Sequence, residues 1–360
     1  MNKSVYICHR PYQILRCCDL ISKKSEKGYN ILITFDIKVL GKNVFRTIET
    51  NEIFYDQFDE VICLPREVIP SLRNLYSFIR HIFNLKKQYN AVISRLTDVT
   101  ELFFFSDLEK DIEILVELFI RNNKLSTFCL VDEGLAAYER ISITSWKNFL
   151  CLKFVSIVCG LYRFNCTRQY GASRLYNKSL ACEPERSVFR GPIEMMSPLS
   201  ENMCNHYRSK IHNFKLLVDS PFFIYVSAYA IPKGSIFRIL EPHEELSIMK
   251  QIESVVRNVG FNFYIKLHPI EDDKLYIPFF PEGTIIPNGY PIELFFNKNS
   301  IAGGATSSSL YNAALQGYTA VDITKIIDCN ANRLSFLVPW MKIEKIDTLE
   351  SLCQFLINKK

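Results

Sequence analysis

Two series of short apolar runs alternating with amphipathic stretches constrain this chain more than any other feature. In the first, Val5–Cys8, Asn30–Phe35, Val61–Leu64, Ala91–Ser94 and Ser126–Val131 read as strands. Tyr12–Lys24, Gly41–Glu49, Ile69–Leu85 and a stretch about Asp111–Arg121 read as helices between them. In the second, Phe222–Ser227, Asn262–Leu267, Ser300–Gly303 and Tyr318–Asp322 are strand-like, and Pro242–Val259, Ile292–Asn297, Ser307–Leu315 and Thr348–Asn358 are helical. Strands separated by helices of this length argue for parallel, doubly wound sheets. From about Arg163 to Lys215 the pattern is broken by Pro184, Gly191, Pro192 and Pro198, which suits a crossover between domains. A chain of 360 residues is too long for one ordinary core. The fold class expected is therefore α/β, with two Rossmann-like domains over 1–200 and 201–360 facing a cleft.

Composition narrows the function classes. Hydrophobic residues make up 48% and charged residues 22%, with no tract that reads as disordered. The net charge of +5 is mild, but Arg66, Arg73, Arg80, His81, Lys86 and Lys87 lie close together among Leu, Ile, Phe and Tyr. Such a cluster favours an anionic partner (a nucleotide, a sugar acid or an acidic membrane surface) and does not single out nucleic acid. Met1–Ser4 leads straight into a strand-like run without a secretory apolar region, so a cytoplasmic protein is expected. The 12 cysteines are scattered, with no CxxC and no Cys/His zinc spacing, which points to reduced, mostly buried thiols and no metal. Phe149–Tyr162 is strongly apolar but short and interrupted by Lys153, and a spanning helix needs roughly 20 apolar residues. It reads either as a buried helix or as one lying on a membrane between Lys147 and Arg163.

In open parallel sheets ligands sit beyond the carboxyl ends of strands, so polar residues just after strands are the candidates. Asp132-Glu133-Gly134 follows Phe128–Val131; one acid there could deprotonate a hydroxyl, or the group is an acidic turn and helix cap. Lys266-Leu267-His268-Pro269 ends another strand. Proline stops the ladder there and holds an imidazole at the sheet edge, where His268 can assist a leaving phosphate and Lys266 can neutralise it; a satisfied loop histidine is the plainer alternative. Gly303-Gly304-Ala305-Thr306-Ser307-Ser308-Ser309 joins a strand to a helix. Its glycines permit close backbone approach, and its helix start offers free N–H groups and serine hydroxyls to a phosphate, unless the run is simply a capped turn. It is neither a Walker loop nor a dinucleotide fingerprint.

The order of these motifs resembles that of bacterial sialyltransferases of the GT-B fold, which include lipooligosaccharide sialyltransferases and capsule polysialyltransferases. Those families share an acid-acid-Gly motif, a His-Pro motif and paired serines, matched here by Asp132-Glu133-Gly134, His268-Pro269 and two of Ser307, Ser308 and Ser309. The opening Val5–Cys8 with Arg10-Pro11-Tyr12-Gln13 is similar to the start of the lipooligosaccharide group, with Arg10 where that group commonly has Thr. The resemblance implies that Asp132 is the general base, supported by Glu133 and Gly134. It implies that His268, with Pro269 behind it, assists departure of the CMP phosphate, that Thr306 and the serines bind that phosphate, and that Glu293 binds the cytidine ribose. Arg10–Gln13 would line the donor or acceptor cleft.

The function expected is inverting transfer of sialic acid from CMP-sialic acid to a glycan hydroxyl in a bacterial surface polysaccharide or lipooligosaccharide. No cofactor is expected. The alternatives are a related enzyme using another CMP-nonulosonate, CMP-Kdo or a nucleotide-diphosphate hexose, and a non-catalytic capsule assembly protein. The partners expected are a nucleotide sugar and an oligosaccharide or glycolipid, with reversible association to an anionic inner-membrane face. A homodimer is compatible with all of this.

Overall fold

The structure is a computed structural model that describes residues 2–39, 42–43, 52–66, 72–134, 137–138, 146–162, 169–212, 214, 219–227, 242–268, 271, 273–305, 307–327 and 343–360. The chain divides into two compact units. The first comprises Met1–Asn43 and Phe54–Ser197, the second Val44–Ile53 and Pro198–Lys360. Lys210 Nζ donates to Ile53 O at 3.3 Å, which ties that residue to the second unit.

The first unit is built on a sheet of β1 (Lys3–Cys8), β2 (Tyr29–Val39), β3 (Lys42–Asn43), β4 (Glu60–Arg66), β5 (Glu101–Phe104), β6 (Thr127–Val131), β7 (Lys178–Ala181) and β8 (Ile193–Met195). Apart from the short antiparallel β2–β3 pair, every pairing is parallel, and the main path runs β4-β2-β1-β5-β6-β7-β8. Its helices are α1 (Pro11–Ser22), α2 (Leu75–Ile93), α3 (Lys110–Asn122) and α4 (Trp146–Val158). Beyond their first residue β1 and β5 are buried throughout, and the last three residues of β6 are buried too, as expected where helices cover both faces of a parallel sheet.

The second unit begins with α5 (Glu201–Arg208) and continues through β9 (Phe222–Val226), α6 (Pro242–Asn258), β10 (Asn262–Lys266), β11 (Ile285–Ile286) and β12 (Ser300–Gly304). It closes with α7 (Ser308–Leu315), β13 (Thr319–Asp322), α8 (Thr324–Ile327), β14 (Glu344–Lys345) and α9 (Leu349–Lys359). Its sheet runs β11-β10-β9-β12-β13-β14 and is parallel throughout. One core joins Phe223 and Tyr225 to Met249 and Ile252 of α6 and Leu352 and Leu356 of α9. In both units the first strand of the series lies in the middle and the order reverses beside it, between β1 and β5 and between β9 and β12. Such switch points open the crevices in which open α/β sheets hold ligands.

Several expectations from sequence are corrected. Ala91–Ser94 is not a strand but the last turn of α2, with Ser94 N donating to Asn90 O at 2.9 Å. Its apolar run prolongs the helix stripe of Leu85, Tyr89 and Ile93, all buried. The strand comes later, at β5, after Asp98 turns the chain with a φ of 61°. In the expected helix Gly41–Glu49, Lys42–Asn43 is strand and the rest lies outside the described residues. The irregular middle carries β7 and β8, which extend the first sheet but are too short to show alternation. Ile292–Phe295 is a 3₁₀ turn. Among the described residues all ten cysteines are free, and most are buried. No helix among them is long and apolar enough to cross a membrane.

Candidate active site

The carboxyl ends of the strands carry the polar groups in each unit. In the first, β1 runs into His9 and Arg10, and Pro11 opens α1 at a position where its missing N–H costs nothing. Gln13 folds back so that its Oε1 accepts from His9 N at 2.8 Å and Arg10 N at 3.3 Å. Its Nε2 donates to Glu133 Oε2 at 2.5 Å, and exposed Arg10 sits 3.9 Å from the same oxygen. The Arg10-Pro11-Tyr12-Gln13 run and the acid pair are thereby one cluster, with Tyr12 half-buried on α1. Buried His9 faces Glu109 at 2.9 Å beyond the β1/β5 switch point.

Asp132 leaves β6 fully enclosed, at 2% exposure. Its Oδ1 accepts from Gly134 N at 2.7 Å, and its Oδ2 accepts from Tyr138 Oη and from Cys182 N at 3.4 Å. Gly134 adopts a φ of 134°, a region that disfavours side chains, so a glycine suits this position beside the carboxylate. Burial pushes the Asp132 pKa up, while the hydrogen bonds from Tyr138 and Gly134, the Arg16 charge and the Cys182 N–H pull the other way. Arg16, itself buried on α1, donates to Ser197 O at 2.8 Å and to Cys182 Sγ at 3.2 Å. Of the two acids, Glu133 is the more open.

In the second unit, His268 follows β10 and is half-buried. Its backbone N–H donates to Glu271 Oε2 at 2.7 Å, and Glu271 N returns a bond to His268 O at 2.9 Å. The Glu271 carboxylate also accepts from Ser227 Oγ at the end of β9 and from Tyr276 Oη at 3.0 Å. One acid thus fixes the His268 turn to the centre of the sheet. Pro269 and Thr306 lie outside the described residues. Lys266 is buried and donates to Pro287 O at 2.8 Å; burial lowers its pKa to about 7, against the Glu293 charge that raises it. Glu293 is buried too and accepts from Asn312 Nδ2 of α7 at 2.8 Å. The 3₁₀ turn that carries Glu293 is anchored by Arg208 of α5, whose guanidinium donates to Leu294 O and to Phe296 O.

Beyond β12, Ser307 caps α7, its hydroxyl accepting from Ser309 N at 3.2 Å. Ser308 is exposed and Ser309 half-buried, so hydroxyls stand beside a helix start at the β9/β12 switch point. The expected strand Ser300–Gly303 runs one residue further, so that Gly304 as well as Gly303 lies inside β12 and not in the turn that joins it to α7. A Cβ on Gly303 would meet Phe223 Cζ at 2.2 Å, and one on Gly304 would meet Val226 O at 2.7 Å. Close packing of β12 on β9 accounts for both. The residues that sequence reasoning missed are Arg16, Tyr138 and Glu271. Only Glu271 left a local trace, an acid three positions after His268 in the spacing by which a carboxylate caps a turn.

The family model described as alpha-2,8-polysialyltransferase (POLYST) matches residues 4–321. The chain belongs to this family. A comparison with curated proteins finds no match. Among solved structures, a UDP-N-acetylglucosamine 2-epimerase superposes with a TM-score of 0.52 at 10% identity, over 98% of this chain and 86% of that one. The wall teichoic acid polymerase TagF superposes with a TM-score of 0.51 at 10% identity, over 99% of this chain and 79% of that one. At such identities the likeness concerns the fold alone: two parallel-sheet α/β domains of the GT-B type. Membership and fold together make this polysialyltransferase-family protein a sialyltransferase-like glycosyltransferase.

Proposed function

We propose that the chain transfers sialic acid from CMP-sialic acid to a glycan hydroxyl by a single inverting displacement. The acceptor oxygen attacks the anomeric carbon of the donor and forms the new glycosidic bond. The bond from that carbon to the CMP phosphate oxygen breaks, and its electron pair leaves with CMP. The acceptor proton goes to the Asp132 carboxylate. The second unit holds the nucleotide: the hydroxyls and helix start at Ser307–Ser309 meet the phosphate, His268 assists its departure, and Glu293 meets the ribose. The family's own name favours a sialylated acceptor for this chain.

The observation that supports the reading best is the enclosure of Asp132. A carboxylate whose pKa is raised by burial is a stronger base than a solvated one and suits proton removal from a poorly acidic hydroxyl. Its neighbour Glu133 is more open and accepts from Gln13. The test is a screen of CMP- and UDP-sugar donors with product masses recorded, joined to CMP calorimetry on variants. Asp132→Asn should bind CMP nearly as well as the parent and lose roughly 10²–10⁴-fold in turnover, with Glu133→Gln milder. Turnover with UDP-sugars alone would overturn the donor, and a crippling Glu133→Gln beside an active Asp132→Asn would move the base to Glu133.

A further inference from the structure

The helix α4 carries apolar side chains on its exposed face as well as on its buried one. Leu152, Val155 and Ser156 are buried against the first unit. Trp146, Leu150, Phe154 and Ile157, spaced four, four and three apart, are all exposed, Ile157 at 69%. Such a spacing keeps them on one helix face. Trp146 and Phe149 stack at 5.5 Å, and Lys153 Nζ lies 5.8 Å from the Phe149 ring, so aromatic bodies and cationic tips share the surface. Past the helix, Tyr162 is 75% exposed with the Arg121 guanidinium 5.1 Å from its ring.

The neighbouring helix carries the matching charge. Lys86 of α2 donates to Cys159 O at 2.9 Å, just beyond the end of α4. Along α2 and the residue pair before it, Arg73, Tyr76, Arg80, Phe83 and Lys87 recur at steps of three and four, and all five are exposed. Neither α2 nor α4 contains an aspartate or a glutamate. Protruding Leu, Phe, Ile and Trp together with cations of a single sign match a surface with apolar depth beneath an anionic face. A soluble polyanion would use the cations and leave the apolar side chains in water. A second copy of this surface would bring like charges together.

We infer that the exposed faces of α4 and α2 form a docking surface for an anionic lipid bilayer, with Leu150, Phe154 and Ile157 entering the acyl boundary and Arg80 and Lys87 meeting the head groups. This inference is independent of the donor and of the catalytic assignment. The full chain should float with phosphatidylglycerol vesicles at low salt and not with phosphatidylcholine vesicles, and should be released by high salt. Leu150→Ser with Phe154→Ser, and separately Arg80→Glu with Lys87→Glu, should each weaken the partition by roughly tenfold or more. These positions are exposed, so circular dichroism should match that of the parent. A second readout needs no surface variant: with Trp340→Phe as background, Trp146 emission should move to the blue on adding anionic vesicles and be quenched by brominated acyl chains. Absence of flotation on either vesicle, Trp146 emission unmoved by lipid, or a dimer in sedimentation that Leu150→Ser with Phe154→Ser converts to monomer would each overturn the assignment.

Discussion

At the scale of single residues, a base proposed at Asp132 should show itself in the pH dependence of the rate. The base is active only when ionised, and burial favours the neutral form, so the rate should rise with pH along a limb displaced above the ordinary aspartate value of about 3.9. The Tyr138 hydroxyl donates to that carboxylate and holds the pKa down. Tyr138→Phe should therefore move the acid limb of kcat/KM further up and cost more activity at low pH than at high pH. A limb that stays in place would mean that Tyr138 supports the fold rather than the charge. Asp132, Glu133 and Gly134 were legible because a polar trio directly after a buried strand is a local pattern. Their partners were not: Gln13 is 120 positions from Glu133, and nothing in residue order says that the Arg16 side chain turns inward.

At the scale of elements, the long central strands and amphipathic helices could be read directly, because each buries enough residues to display its period. The two-residue strands β11 and β14 could not, since two residues carry no alternation. The glycine pair shows a different limit. Residue order ends the strand at Gly303 and leaves Gly304 to the joining turn; the structure puts both in β12, against Phe223 and Val226. Gly303→Ala should destabilise the protein by about 1–3 kcal/mol through overpacking, read as a lower midpoint in urea. Phe223→Leu in the same chain should recover part of the loss, because it removes the Cζ that the new methyl would strike. A Gly303→Ala protein as stable as its parent would separate the glycine from this packing.

At the scale of the whole molecule, both units wind their sheets in the same order, with a switch point beside the first strand, and both bring their distinctive polar residues to the carboxyl edge. The proposed reaction meets the leaving phosphate with an imidazole, hydroxyls and a helix start, so transfer should persist in excess EDTA. Loss of activity on chelation, restored by Mn²⁺, would point to a metal-assisted diphosphate donor instead. The alternation of strand and helix, the two-part division and the order of the three motifs were already present in the residue order, because hydrophobic periodicity and strand-end chemistry are local. Which strand pairs with which, that Asp132 is enclosed while Glu133 is not, that the His268 turn hangs on Glu271, and that α4 turns Phe154 and Ile157 outward were decided only by tertiary packing. Each depends on side chains distant in the chain competing for the same buried space, and no local pattern records the outcome of that competition.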